Sequence, residues 1–326
     1  MVRVLSESAV DSLIELDALL DVIEDAFLAQ GADAVERPER PHYPVGTGLR
    51  GDGSAEPLGT GLAMPAYIHG ADYAVVKLVG VHGDNPSRGL PTVHAQVVLT
   101  EADTGRAAAF LAGTTLTNAR TGCIGGVAVR ALVDGPIELG VIGAGTQARW
   151  QTRAIDAAAG VATARIYSPS DSKRECAAEL QEELDGEVTV AESARAAVEG
   201  VDVVVTATTA TEPVFPGEAI APGAIVVAIG AYTAETQELD GRTFDRADHV
   251  YADVPSEVAG IGDIINTGTD SDRLVPLSSL LVGADHPAAE DLVVVESVGS
   301  AVLDAAAAEA VLDRAYAANA GTEVEL

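Results

Sequence analysis

Lysine is nearly absent. The 326 residues contain two, Lys77 and Lys173, and the remaining cations are arginines. Against 19 Lys and Arg stand 50 Asp and Glu, a formal net charge of −31. A surface this anionic repels phosphate backbones and acidic headgroups, which excludes nucleic acid and membrane as partners. A chain that tolerates such self-repulsion suits concentrated salt, where the Debye length falls to about 3 Å at 1 M; a halophilic habitat is expected. Cysteine is equally scarce. Cys123 and Cys176 lie far apart without a CxxC spacing, so neither a disulfide framework nor a thiolate metal site is indicated. The six histidines form no HxH or HxxxH pair, and no metal is expected. No uncharged apolar run approaches the roughly 20 residues of a bilayer-spanning helix. The first residues lack a basic segment followed by an apolar core, so no secretory signal is expected and the location is read as cytoplasmic.

Apolar residues, at 48%, are plentiful enough to exclude a disordered acidic polymer. The length suits two domains. Residues 7–29 carry apolar positions at helical spacing and read as one amphipathic helix. Residues 31–61, rich in Gly and Pro, read as a long irregular stretch. Strands are expected at Asp72–Val79, Thr92–Leu99 and Arg106–Leu111, the last two joined by a turn through Gly105. A helix over Thr114–Val133 leads to Gly135-Pro136, a natural break. Beyond it, unbroken Val/Ile runs alternate with helices: Ile137–Ile142, Thr163–Ser168, Val201–Thr206, Ala224–Ile229, His249–Ala252 and Leu292–Val295. Such runs indicate a parallel sheet covered on both faces. The fold class is therefore α/β, a Rossmann-type doubly wound parallel sheet plus a smaller α+β domain. The expected division is 1–118, completed by a C-terminal helix over 305–326, and 119–304.

Leu139-Gly-Val-Ile-Gly143-Ala-Gly145-Thr146-Gln147-Ala148 places a GxGxxA pattern between a strand and a helix. Gly143 permits the tight turn, Gly145 lets backbone N–H groups approach a pyrophosphate, and Ala148 keeps the helix close to the sheet. Its position at the first strand of a repeated βαβ pattern is the context that makes it a dinucleotide fingerprint. An NAD site usually has Asp or Glu about 20 residues on. Here the second strand ends at Ser168-Pro-Ser170, followed by Lys173 and Arg174. Hydroxyls and cations suit a 2′-phosphate, so NADP is favoured over NAD; Asp171 taking the ribose role is the alternative.

Lys77 sits among Val and Leu in a strand, where it either serves a site or guards a sheet edge. Arg120, in Leu116-Thr-Asn-Ala-Arg120-Thr, is read near a helix N-terminus, a poor place for a cation unless it grips an anion there. With Met64-Pro-Ala, Lys77-Leu-Val, Asn85-Pro-Ser-Arg-Gly-Leu-Pro-Thr92, Gly143-Ala-Gly145-Thr-Gln147-Ala148 and Glu238-Leu-Asp240, the chain resembles the ornithine cyclodeaminase/mu-crystallin family over nearly its whole length. The resemblance implies an N-terminal substrate and dimerisation domain, a homodimer, and Arg40, Lys77 and Arg120 as the grip on a substrate α-carboxylate. Two departures stand out. Ornithine cyclodeaminases carry a glutamate where this chain has Met64, and a catalytic aspartate where it reads Gly230-Ala231-Tyr232. Neither Met64 nor Tyr232 can replace a carboxylate in binding an ammonium or taking a proton.

The expected activity is NADPH-dependent reduction of a small α-imino acid, or the reverse oxidation of an L-amino acid. Lys77, Arg120 and Tyr232 are the candidate catalytic residues; Tyr232 is equally well a pocket wall. Arg40, Met64 and Gly299 join Lys77 and Arg120 in the substrate set. The cofactor set is Asn85, Thr92, Gly143, Gly145, Thr146, Gln147, Ser168, Ser170, Lys173, Arg174, Ala207, Thr208, Gly230 and Ala231. The alternatives are ornithine cyclodeaminase and a non-catalytic NADPH-binding sensor.

Overall fold

The computed structural model describes residues 1–49, 55–284 and 286–325. The chain divides into two units, Met1–Glu15 with Ala32–Arg120 and Ala301–Leu326, and Leu16–Gly31 with Thr121–Ser300.

The first unit is built on a largely antiparallel sheet. Its strands run in the order Thr322–Val324, Val2–Leu5, Ala107–Ala112, Val93–Glu101, Tyr73–Val81, Gly59–Ile68 and Val35–Glu36, and His42–Val45 also pairs with Gly59–Ile68. Side chains alternate across such a sheet. Val75 and Lys77, Ala95, Val97 and Leu99, and Ala109 and Leu111 are buried. The helices Glu7–Leu13 and Ala301–Ala317 pack on this unit's strands. Val4, Leu78 and Phe110 are exposed on the other face.

Two expectations fail in the N-terminal part of the chain. The irregular stretch 31–61 contains the strands Val35–Glu36 and His42–Val45 and the start of Gly59–Ile68. Gly59, Gly61 and Pro65 weaken the strand signal there. A Cβ on Gly61 would meet the Tyr43 ring at 2.5 Å, so the exposed ring packs where a larger residue would push it aside. The single helix over 7–29 is two, Glu7–Leu13 and Leu16–Gly31, because Ile14 is extended (φ −78°, ψ 123°) and ends the first. These two helices belong to different units.

The second unit is a parallel sheet in the order Glu187–Val190, Val161–Tyr167, Ile137–Ile142, Val203–Thr206, Ile225–Ala228, Val293–Glu296, His249–Ala252 and Leu274–Pro276. Its central strands are buried on both faces, which is why they read as unbroken apolar runs. The chain winds outward from Ile137–Ile142 in one direction, then crosses to Val203–Thr206 and winds in the other. The reversal leaves a crevice at the carboxyl ends of those two strands, the place where such Rossmann-type sheets bind ligands. No described helix is long and apolar enough to cross a membrane.

Candidate active site

In the first unit the structure brings Lys77, Arg120 and an unanticipated residue, Asp304, together. Lys77 is no edge residue: its strand lies between two others, with Met64 and Val97 as cross-strand neighbours. Its Nζ lies 2.6 Å from Asp304 Oδ2. Arg120 donates from Nε to Asp304 Oδ1 at 2.8 Å. Lys77 is 2% exposed, Arg120 4% and Asp304 0%. Arg120 Nη1 is buried and has no hydrogen-bond partner among the described residues. Arg120 stands two turns into the helix Gly113–Leu132 rather than at its start, so the helix dipole does not explain it. Its partner Asp304 does.

Burial drives the Lys77 pKa down, Asp304 opposes the fall, and Arg120 and Arg40 add to it, leaving it at about 8. Burial pushes Asp304 up, but Arg120 and Lys77 outweigh it and hold the carboxyl below its ordinary value. Arg40 is half-buried and lies within electrostatic range of Lys77. Met64 is buried directly across from Lys77, so the surface beside the cations is a thioether without charge. Asn85 is buried and donates from Nδ2 to the Pro91 carbonyl at 2.8 Å, closing the loop that returns to Thr92. The Thr92 carbonyl in turn accepts from the His82 N–H.

In the second unit the glycine loop has the geometry a dinucleotide requires. Gly143 has φ +120°, and a Cβ there would lie 2.4 Å from the Ala207 carbonyl oxygen. Gly145 is open on the side a Cβ would occupy, and it caps the helix Thr146–Ala159 without a side-chain bond. Thr146 is exposed and Gln147 half-buried at the start of that helix. Its first N–H groups carry partial positive charge suited to a phosphate. Arg149 braces the loop by donating to the Ala144 carbonyl at 2.6 Å.

At the end of the second strand of this sheet, Lys173 Nζ donates to the Ser168 carbonyl at 2.9 Å and lies over the Tyr167 ring. The hydroxyls of Ser168, Ser170 and Ser172 form a chain beside it. Arg174 is exposed and 3.8 Å from Asp171, itself exposed. No carboxylate occupies the strand end itself, because that residue is Ser168.

Two buried carboxylates that sequence reasoning did not single out as site residues hold the neighbouring loops. Glu238 accepts from Thr206 Oγ1 at 2.8 Å, Thr208 N at 2.6 Å and Gly230 N at 2.7 Å. It thereby fixes the segments carrying Ala207, Thr208, Gly230 and Ala231. Asp253 accepts from Ser297 Oγ at 2.6 Å and Gly299 N at 2.7 Å, and Gly299 has φ +81°. Burial raises both carboxyls above their ordinary values, and the bonds they accept work against that rise. Asp263 is pushed up to about 7 by burial. Glu296, fully buried with neither oxygen partnered among the described residues, is raised well above the usual range by burial and by Asp263, Glu238 and Asp253. Tyr232 is 56% exposed. Among the described residues no group of His, Cys, Asp and Glu is arranged to hold a metal ion.

The model of the ornithine cyclodeaminase/mu-crystallin family matches residues 2–319. The chain is 30% identical to an alanine dehydrogenase of Archaeoglobus fulgidus, over 99% of this chain and 98% of that one. The structure of Thermococcus litoralis Δ1-pyrroline-2-carboxylate reductase in complex with NADH and L-proline is similar, with a TM-score of 0.90, 30% identity and coverage of 99% and 100%. An archaeal alanine dehydrogenase dimer with bound NAD has a TM-score of 0.89, 26% identity and coverage of 99% of both chains.

Proposed function

The chain belongs to the ornithine cyclodeaminase/mu-crystallin family, and we propose on that premise that it is an NAD(P)-dependent oxidoreductase of a small α-imino acid or, in reverse, of the L-amino acid. The observation that carries this is the pair of buried cations on Asp304, with Arg120 Nη1 left unpartnered. A buried donor without an acceptor costs about 1–3 kcal/mol, which an arriving carboxylate relieves. The guanidinium fork matches that carboxylate, and Lys77 adds a second charge. Met64 beside them suits an apolar side chain and offers nothing to a distal ammonium.

When bound, the dinucleotide supplies or accepts the hydride. Gly143 and Gly145 would cradle its pyrophosphate against the N-terminus of Thr146–Ala159, and Glu238 keeps the adjoining loops in place. Lys77 and Arg120 fix the carboxylate and so the orientation of Cα, and positioning of this kind supplies several kcal/mol of a barrier. An imine that arrives protonated needs no strong acid from the chain, in keeping with Tyr232 where cyclodeaminases carry an aspartate.

We further propose a cofactor preference, an assembly and working conditions. NADPH is the preferred donor, supported by Lys173 and the Ser168–Ser170–Ser172 hydroxyls at the strand end. The chain works as a homodimer through the outward face of the first unit's sheet, where Val4, Leu78 and Phe110 are exposed. It functions in concentrated salt in the cytoplasm. Residues 1–118, completed by the C-terminal segment 305–326, serve as substrate and dimerisation domain, and 119–304 as nucleotide domain. The test is NADPH oxidation with Δ1-pyrroline-2-carboxylate, or with pyruvate plus ammonia, in multimolar salt. Turnover is expected; its absence across a panel of imines and amino acids overturns the proposal.

A further inference from the structure

We infer that Asp304 is a positioning residue, joining Lys77 and Arg120 into one grip by holding each on a separate oxygen and cancelling one of their two charges. The inference rests on the reading of that grip as the α-carboxylate site. The three residues come from three elements: the strand Tyr73–Val81, the helix Gly113–Leu132 and the helix Ala301–Ala317. Arg120 and Asp304 are 184 residues apart in the chain. Their meeting is a product of the fold, not of local sequence.

Two buried cations without a counterion would repel, and only the lysine could respond, by losing its proton. Asp304 prevents this. Oδ2 takes Lys77 at 2.6 Å and Oδ1 takes Arg120 Nε at 2.8 Å. Among the described residues the charged groups that act most on Lys77 are Asp304, Arg120 and Arg40. Its cross-strand neighbours Met64 and Val97 contribute none. Lys77, Arg120 and Asp304 together carry a single surplus positive charge, and the half-buried Arg40 adds to the attraction for a carboxylate. Because Asp304 engages Arg120 through Nε, it leaves Nη1 buried and available. The residues around Asp304 on its helix, Ala301, Val302, Leu303, Ala305, Ala307 and Ala308, are buried and apolar. An aspartate there has no solvent face to justify it, and its cost of burial is offset by the two cations.

The two-lysine composition makes the test direct. Chain labelled with ¹³C at lysine Cε gives two side-chain signals, and Lys173→Arg identifies the one from Lys77. The wild-type Lys77 signal should titrate near pH 8. Asp304→Asn should lower that midpoint by about one unit or more, as loss of an adjacent opposite charge does. Asp304→Glu should lie nearer the wild type than Asp304→Asn does. Arg120→Met, which removes a like charge, should move the midpoint up. These opposite signs are what a merely structural role would not produce, and the Arg120→Met arm stands if Asp304→Asn does not fold. An unmoved midpoint in Asp304→Asn, or a downward or absent shift in Arg120→Met, overturns the inference. The readout requires no turnover. A chain that reduces imines but whose Lys77 ignores Asp304 faults the inference alone. A chain with the full titration pattern but no activity supports it and faults only the functional reading.

Discussion

Replacing Lys77 by Met removes one of the two buried cations while keeping most of the side chain's apolar bulk. Losing one charge-assisted contact to the substrate carboxylate costs about 1.5–3 kcal/mol of transition-state binding. Asp304 keeps Arg120 at 2.8 Å, so no carboxylate is stranded in the free chain. At about 1.4 kcal/mol per decade, a loss of about 3 kcal/mol lowers kcat/KM for the imino acid by roughly a hundredfold. The NADPH dissociation constant, measured separately by fluorescence, should change little. A second signature comes from pH. Lys77 has its pKa lowered to about 8, so its charge is present below that value and lost as pH rises through it. The inhibition constant of propanoate, an anion with no titrating group in this range, should be flat below about pH 8 and then weaken as the cation is lost. In Lys77→Met the alkaline limb should vanish. Equal losses of NADPH affinity and turnover, or a limb that survives the substitution, would remove Lys77 from the carboxylate grip.

Ser168→Asp puts a carboxylate where a 2′-phosphate is proposed to bind. At about 1.5–3 kcal/mol for a hydrogen bond to a charged group, the NADPH-to-NADH ratio of kcat/KM should fall by roughly ten- to a hundredfold; an unchanged ratio would place the 2′ contact elsewhere. Gly143→Ala forces a side chain onto φ +120° and against the Ala207 carbonyl. Strain of about 1–3 kcal/mol should appear as weakened dinucleotide binding in calorimetry, and wild-type affinity would contradict the cradle. Glu296 has its folded pKa raised well above the unfolded value, chiefly by burial. Its contribution to stability is therefore present below the unfolded pKa and lost as pH rises toward the folded one. Glu296→Gln should raise Tm at pH 8 and leave it nearly unchanged at pH 4, as thermal melts will show; a uniform shift at both would count against a titrating origin.

The parts of the fold that were legible in the sequence share a physical cause. Ile137–Ile142 and His249–Ala252 fall where expected because strands buried on both faces need unbroken apolar runs. Gly143 was legible because only glycine meets the backbone demand of that turn, at φ +120°. The strand Gly59–Ile68 was not, since its two early glycines and Pro65 argue locally for a loop, and it is held in place by pairing on both sides. Arg120 was identified for an incomplete reason. Its anion partner within the chain is Asp304, far away in sequence and hidden in an Ala-rich helix. The available signal was that Asp304 lies among apolar residues on every side of its helix, a pattern no solvent-facing acid has. Glu238 stood out only as part of the Glu238-Leu-Asp240 motif and Asp253 not at all, because most of what they hold is backbone N–H groups of loops, which leave no mark in residue identity.

Hydride transfer to the α-carbon of an imino acid gripped by Lys77 and Arg120 is followed with NADPH carrying deuterium at C4, Δ1-pyrroline-2-carboxylate and the purified protein in multimolar salt. L-proline with one deuterium at Cα is expected when the label occupies the transferred face, formed roughly a hundredfold more slowly by Lys77→Met at matched enzyme concentration. Proline without label from either face of the nicotinamide, or no proline while ornithine is converted to proline and ammonia, would contradict that transfer.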